Sequence, residues 1–508
     1  MILSKINRFW PFIVLAVLAF IVHLAFLSHP AQVVFDEVHF GKFVGAYFTG
    51  QYYFDIHPPL GKLMIAGWAK LNGVNPNFDF DHIGEQAAPQ MLFTLRFLPA
   101  FFGGLFVLAF SWLAWLISRS KKTALIAGVL ILLDNAFLVQ SHFILVDIFM
   151  LTFEVLALCF FFLQQRQKSF GAKWFFYLIL TSLFFSLAIS IKWTGLTTIG
   201  IIGVVLVAKI FSQKLTNYLN NSIPVIPTKA CLPDRQTGIQ TPESRIPEAN
   251  ASHCDGAGKS GMPKWMLVKE TSIDLIFLLV IGFAVYAIPY AIHFKLVPES
   301  GPGDAFMSSA WQQELKYGRD NIYQPLSFFQ KFFELNKTML SANAGITAEH
   351  PYGSRWYSWP IDRKPIYYWT DGQPPSGKSA NIYFVGNPVL WWLTLAFVAL
   401  TLILITDKKS RRRVKPIFYI LLLAYFANLL PFILIKRISF LYHYLPAMTF
   451  GILLTALYLA QIYQKKKIFV AIFIFILAGF LVLTPYSYGL PISNWLNKLE
   501  INLIGLLA

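Results

Sequence analysis

The sequence predicts an all-α polytopic membrane protein, about eleven transmembrane helices joined by long loops on one face. Three observations predict it. Of 508 residues, 56% are hydrophobic and 13% charged, against roughly 25% charged in soluble domains. The apolar residues, 49 Phe among them, come in uninterrupted runs near the ~20 residues that span a hydrocarbon core, and mean hydropathy is +0.56. Lys and Arg cluster in short stretches between those runs, so the net charge of +17 reads as a topology signal and not as a nucleic-acid surface.

The runs lie near 10–28, 97–117, 123–141, 143–163, 174–191, 194–211, 273–292, 388–405, 416–434, 446–463 and 467–484. The first resembles a signal peptide, but no small-residue cleavage site follows it, so it is expected to stay as a span entered from the cytoplasm behind Lys5 and Arg8. Alternation from that start puts Arg119 to Lys122, Arg166 to Lys173, Lys408 to Lys415 and Lys465 to Lys467 on the cytoplasmic side of a cell (plasma) membrane, with the C-terminus outside.

An N-terminal module, 1–211, and a C-terminal module, 269–508, are separated by a cytoplasmic segment, 212–268, rich in Pro, Ser, Asn and Gly. That segment reads as a disordered insertion. Within it, Gly258-Lys259-Ser260 lacks the upstream Gly and the strand of a phosphate loop. Asn250-Ala251-Ser252 is a glycosylation triplet on the wrong side. Cys159, Cys231 and Cys254 form neither a metal-ligand spacing nor a disulfide framework.

On the opposite face the loops 29–95 and 293–387 are too long for plain connectors, which places the chemistry there. Asp36-Glu37 stands just past the first span among apolar and aromatic neighbours. Such surroundings raise a carboxylate pKa and suit a general base, although a solvated loop acid has the same sequence. His57-Pro58-Pro59-Leu60-Gly61-Lys62 reads as a turn into a short interfacial helix. Arg96 stands at the mouth of the second span, where it either snorkels to headgroups or binds. Lys192 lies at the junction of spans five and six with almost no other charge near it in the sequence, so an anionic ligand is proposed for it.

His142 and Asp147 occupy the turn between spans three and four, and Asp134 lies within span three, where a helix-capping role is favoured. The stretch Glu349 to Ile361, with His350, Arg355 and Trp356, suits sugar or peptide contact, and an interfacial aromatic belt equally. Lys436-Arg437 places two cations on the face that positive-inside topology disfavours, which argues for a bound anion.

Phe35-Asp36-Glu37-Val38-His39-Phe40-Gly41-Lys42, His57-Pro58-Pro59-Leu60-Gly61-Lys62, Leu95-Arg96, Ile191-Lys192-Trp193, His350-Pro351-Tyr352 and Phe440-Leu441-Tyr442-His443-Tyr444, in that order over nearly the whole chain, closely resemble the protein O-mannosyltransferases. The resemblance implies a GT-C glycosyltransferase moving mannose from a polyprenyl-phosphate carrier to Ser or Thr hydroxyls of exported polypeptides. It maps the family's catalytic acid pair onto Asp36 and Glu37, its phosphate-binding arginine onto Arg96 and its lysine of the fifth and sixth spans onto Lys192; a departing phosphate needs cations, so Lys192 and Arg437 or His443 are expected beside Arg96 at the donor phosphate. His57, His142, Asp147, His350, Arg355 and Trp356 are expected to contact substrate. The loop before span eight lacks room for the β-trefoil module of eukaryotic members, which marks a prokaryotic form, and His142 stands where many members have Arg.

No cofactor or metal is expected beyond the lipid-linked donor, because one acid pair with distant histidines is a poor cage for a hard cation. Membrane lipids and exported polypeptides are the expected partners, with dimerisation left open. A glycolipid acceptor is the nearest alternative. A transporter is disfavoured because the ionisable groups gather at the outer ends of the spans and not at the midplane.

Overall fold

The structure, a computed structural model, describes residues 2–220, 263–347 and 349–498. In lipid every backbone polar group must be satisfied within the segment, so long apolar runs close as helices. In chain order, α1 (Ile2–Leu24) is followed by a loop holding α2 (Glu37–Thr49) and α3 (Leu60–Leu71). The bundle continues through α4 (Pro89–Ser118), α5 (Lys121–Leu132), α6 (Asn135–His142), α7 (Asp147–Gln165), α8 (Ala172–Ile189), α9 (Leu196–Phe211), α10 (Gln213–Asn220) and α11 (Lys264–Leu296). The second long loop is largely structured: α12 (Ser309–Tyr317), α13 (Phe328–Gly345), β1 (Ile366–Thr370), β2 (Lys378–Ser379) and β3 (Asn381–Phe384), with β1 antiparallel to β3. It is followed by α14 (Pro388–Thr406), α15 (Pro416–Leu429), α16 (Leu445–Ile462), α17 (Lys466–Tyr488) and β4 (Ile492–Ser493), which pairs with β2.

Among the described residues nine helices are long and apolar enough to cross a membrane, and α5 with α6 makes a tenth bent by 62°. The expected first run survives as a shorter apolar stretch, Trp10–Leu24. All eleven runs therefore correspond to helices, but the third is broken and the first is short. The break has a physical cause at Asp134. One carboxylate oxygen accepts the Ala136 and Phe137 N–H groups at 3.0 and 3.2 Å, which starts a new helix. The other accepts Trp391 Nε1 at 2.6 Å and the Asn387 N–H at 3.4 Å. Asn387 returns its amide to the carbonyls of Leu133 and Ile476, at 2.9 and 2.8 Å, so the carbonyl released at the break is satisfied from α14.

The two expected modules pack as one bundle, with α11 against α8 and α9, α15 against α9, and α16 against α5. Within the expected insertion 212–268, Gln213–Asn220 and the start of α11 are helical, with Leu215 and Leu219 buried, and 221–262 lie outside the described residues. The readings placed on Cys231, Asn250–Ser252, Cys254 and Gly258–Ser260 lie outside the described residues. At one end of the bundle the basic connections meet: Arg166 bonds the Leu116 carbonyl, and Lys214 Nζ bonds those of Arg412 and Val414 at 3.3 and 3.1 Å. At the other end the two long loops meet through the isolated bridge Gln51–Glu299.

Replacing Asp134 with Ala would leave buried donors of Trp391, Ala136 and Phe137 unpaired, at about 1–3 kcal/mol each. The thermal midpoint of the detergent-solubilised Asp134→Ala protein is expected to fall by several degrees, with Trp391 becoming more accessible to fluorescence quenchers. An unchanged midpoint would remove Asp134 from this joint.

Candidate active site

The acid pair is divided by its surroundings. Phe35 is held at φ +44°, the left-handed region unfavourable to bulky side chains. Its ring stacks on Tyr368 of β1 with centroids 3.9 Å apart, and its N–H donates to the Tyr368 carbonyl at 3.2 Å. That kink aims two adjacent carboxylates in different directions. Glu37 turns inward and is fully buried. It accepts Arg96 Nε at 2.8 Å and Arg96 Nη2 at 2.7 Å, with the N–H groups of Val34 and Ile144 at 2.9 and 3.0 Å.

Asp36, half-buried as a residue, precedes the first residue of α2 without capping it, and no described residue hydrogen-bonds its carboxylate. Burial raises its pKa to about 6; nearby His39 and Lys192 pull it down, and Asp147 and Asp55 push it up. This is an acid kept free and poised near neutral pH.

Beside it opens a cavity of about 470 Å³ whose lining includes His57, Asp147, Lys192, Lys436, Arg437 and His443. The local folding explains the gathering. In the His57 block, the Leu60 N–H donates to the Ser190 carbonyl at 3.1 Å. A Cβ on Gly61 would lie 2.8 Å from Val146 Cγ1, so only glycine lets α3 approach that turn so closely. Lys62 is buried on Asp55 and donates to the His57 carbonyl at 2.9 Å. His57 is thereby brought to Lys192, which pairs with Asp147 at 2.7 Å and lies 5.5 Å over the Tyr442 ring. Burial, then Lys192, Lys62, Arg437 and His443, push the His57 pKa well down, so its ring is neutral in a strongly positive site. Asp147 also accepts Gln140 Nε2 at 2.9 Å, and the Gln140 oxygen accepts Tyr368 O–H at 2.8 Å. The cation is thus linked to the residue that holds Phe35.

The structure separates the expected site residues into three groups. Asp36, His57, Asp147, Lys192, Arg437 and His443 come together at or beside the first cavity. His350, Arg355 and Trp356 line a second, of about 910 Å³, which shares Lys436 and Arg437 with it.

Glu37, Arg96 and His142 line neither cavity. Arg96, expected at the donor phosphate, is fully buried with all five N–H donors spent: two on Glu37 and three on the carbonyls of Leu27, Pro30 and Gln32. It has no donor left for a ligand. Glu37, expected to share catalysis, is consumed by the same clamp. His142, expected to contact substrate, is buried edge-on between Phe143 and Tyr488. Asn343, whose side chain donates to the Ile56 carbonyl at 3.1 Å, and Trp193 and Thr194 line the first cavity without having been singled out. Trp193 and Thr194 directly follow Lys192, which was the one available signal.

A bundle of apolar helices, with a cation-lined cavity and a carboxylate without hydrogen-bond partners beside it, defines a polytopic membrane protein with a charged pocket at its loop end. The comparisons with known proteins make this specific. The family described as dolichyl-phosphate-mannose-protein mannosyltransferase matches residues 13–297, and that described as the C-terminal four TMM region of protein-O-mannosyltransferase matches 328–502. The chain belongs to the protein O-mannosyltransferase family.

It is 30% identical over 383 residues to protein O-mannosyltransferase 1 of Drosophila melanogaster, covering 75% of this chain and 37% of that one. It is 32% identical over 316 residues to dolichyl-phosphate-mannose–protein mannosyltransferase 4 of Saccharomyces cerevisiae, covering 61% and 35%. The chain thus spans little more than a third of these relatives' length. The structure of the S. cerevisiae protein O-mannosyltransferase Pmt1-Pmt2 complex bound to the sugar donor shares the GT-C fold, with a TM-score of 0.80 at 19% identity over 97% of this chain and 91% of that one.

Because the Arg96 fork satisfies carbonyls on three residues as well as Glu37, Arg96→Lys is not conservative here. Both Arg96→Ala and Arg96→Lys are expected to lower the thermal midpoint, since breaking a buried ion pair costs about 3–5 kcal/mol. An unchanged midpoint in both variants would remove Arg96 from this structural role.

Proposed function

We propose that this protein transfers mannose from a polyprenyl-phosphate mannose to Ser or Thr hydroxyls of exported polypeptides, at the extracytoplasmic face of a cell membrane. The observation that carries this reading is the free, pKa-raised carboxylate of Asp36 beside the Lys192–Arg437 cavity. Family membership supplies the sugar and the acceptor class. Asp36 takes the proton of the acceptor hydroxyl as its oxygen attacks the anomeric carbon. The bond from that carbon to the phosphate oxygen breaks on the opposite side, the electron pair leaves with the polyprenyl phosphate, which departs as a phosphomonoester, and the configuration inverts.

The leaving phosphate is a weak base and needs cations more than a proton. Lys192 and Arg437 supply them, with Lys436, the neutral imidazole of His57 and the ring of His443 as hydrogen-bonding walls. The cavity mouth carries the apolar side chains of Leu434 and Leu340, which are 83% and 61% exposed. These suit entry of a lipid-borne donor from the bilayer. The concentration of Lys and Arg at the opposite end of the bundle supports an extracytoplasmic site.

Membranes containing the protein, given labelled polyprenyl-phosphate mannose and a Thr-containing peptide, are expected to form mannosyl-peptide and not mannosyl-lipid. Asp36→Asn should lower kcat by about 10²–10⁴-fold without loss of expression. Only the ionised carboxylate accepts a proton, so kcat/KM should fall below about pH 6, tenfold per unit, and not below the ~3.9 of an ordinary Asp. An acid limb near pH 4, or full activity in Asp36→Asn, would sink the base assignment.

Lys192→Ala should cost about 10²-fold or more in rate, with Lys192→Arg partly restoring it, as expected for stabilisation of departing charge. Equal activity of all three forms would remove Lys192 from the phosphate.

A further inference from the structure

The second cavity has a chemistry that mannose and a phosphodiester leave unused. Arg355, Arg363, Lys364, Lys436 and Arg437 line it against a single carboxylate, Glu349. Among the described residues the guanidinium of Arg355 and the ammonium of Lys436 make no hydrogen bond or ion pair. Lys364 Nζ donates to the Gly353 carbonyl at 3.2 Å, and Arg437 has one long contact, 3.4 Å, to the Ile438 carbonyl.

These cations do not lie on a flat solvated face. The segments 353–364 and 432–439 form opposite walls, stitched by the Ser354 N–H on the Ser439 carbonyl at 2.8 Å. The Gly353 position packs against Ile438, where a Cβ would meet Ile438 Cδ1 at 2.7 Å. Trp359 is fully buried at the back, donating Nε1 to Ser354 Oγ at 2.8 Å, while Tyr357, 66% exposed, stands at the rim. The walls are therefore a fixed, polar and aromatic concavity with an excess of positive charge.

We propose that this cavity is a subsite for the acceptor polypeptide on either side of its Ser or Thr, and that it selects acceptors with Asp or Glu near the modified hydroxyl. The inference rests on the proposed transfer to polypeptides and adds its specificity. Adjacency places the subsite: Ala344, Phe432, Ile435, Lys436 and Arg437 line both cavities, so a chain whose hydroxyl reaches the first has the second within reach of its flanks. Charge complementarity gives the preference, because five cations facing one carboxylate favour carboxylates and repel Lys and Arg. Polypeptide is favoured over a lipid headgroup because one wall is the loop segment 353–364, and not span residues alone.

The test uses the whole protein in nanodiscs of phosphatidylcholine, with and without phosphatidylglycerol, and three fluorescent peptides with the same central Thr and flanks of Asp, Ser or Lys. The Asp peptide is expected to bind about tenfold more tightly than the Lys peptide, the order given by two or three screened charge pairs. That advantage should vanish in about 0.5 M salt. Arg355→Gln and Arg363→Gln, checked for an unchanged thermal midpoint, should bring the Asp-to-Ser affinity ratio towards one. Equal binding of the three peptides would overturn the proposal. So would a loss, in those variants, of phosphatidylglycerol association in place of the peptide preference, which would assign the cavity to lipid. Binding is read without turnover, so Asp-peptide preference with no mannose transfer would count against the proposed reaction and leave the subsite standing.

Discussion

The buried pair of Arg96 and Glu37 is the constraint on which the site depends. Taking a guanidinium and a carboxylate out of water costs several kcal/mol per ion, which only dense pairing offsets. Here the guanidinium makes five hydrogen bonds and the carboxylate accepts four. The partners come from the segment after α1, the start of the first loop, α4 and the turn before α7. One clamp therefore fixes the four pieces of chain around Asp36. It also separates the two acids: the Glu37 carboxylate accepts four hydrogen bonds, while that of Asp36, one residue earlier, accepts none from the described residues.

The second loop completes what the clamp begins. Tyr368 supports the strained Phe35 by stacking and by its carbonyl, and its hydroxyl reaches Asp147 through Gln140. Asp147 holds Lys192. Phe35, next to Asp36, and the cation Lys192 are thus linked by a single hydrogen-bonded path running through β1. A path of this kind suits electrostatic stabilisation, which depends on dipoles and charges that need not reorganise as the reaction proceeds.

The spans were legible because lipid imposes length and apolarity directly on composition. The breaks in that regularity were less so. Run 123–141 reads as continuous, and only the carboxylate of Asp134, capping Ala136 and Phe137 while bound to Trp391, divides it. The acid pair was legible as a pair, but its division was not, since the partner that consumes Glu37 lies 59 residues away and carries the same sequence signature as a ligand-binding arginine. Lys436-Arg437 was legible because it broke the positive-inside pattern. Arg363 and Lys364 gave no such signal: exposed cations in a polar loop look solvated until the opposite wall is in place.

The placement of Lys192 against Asp147 bears on how a dianion-like leaving group would be stabilised without trapping it. A lone buried lysine would hold the donor phosphodiester tightly before the bond breaks and the phosphate tightly after it, an affinity that contributes little to the chemical step. A lysine already held at 2.7 Å by a carboxylate offers a resting donor only a partial charge. As negative charge builds on the departing oxygen, the balance between the two anions competing for Nζ shifts towards the phosphate. The contact then strengthens in the transition state more than in the ground state. On the proposed reaction, Asp147 is therefore a moderator of Lys192 as well as its anchor, and Arg437, which lacks a carboxylate partner among the described residues, is the cation that holds the donor before transfer begins.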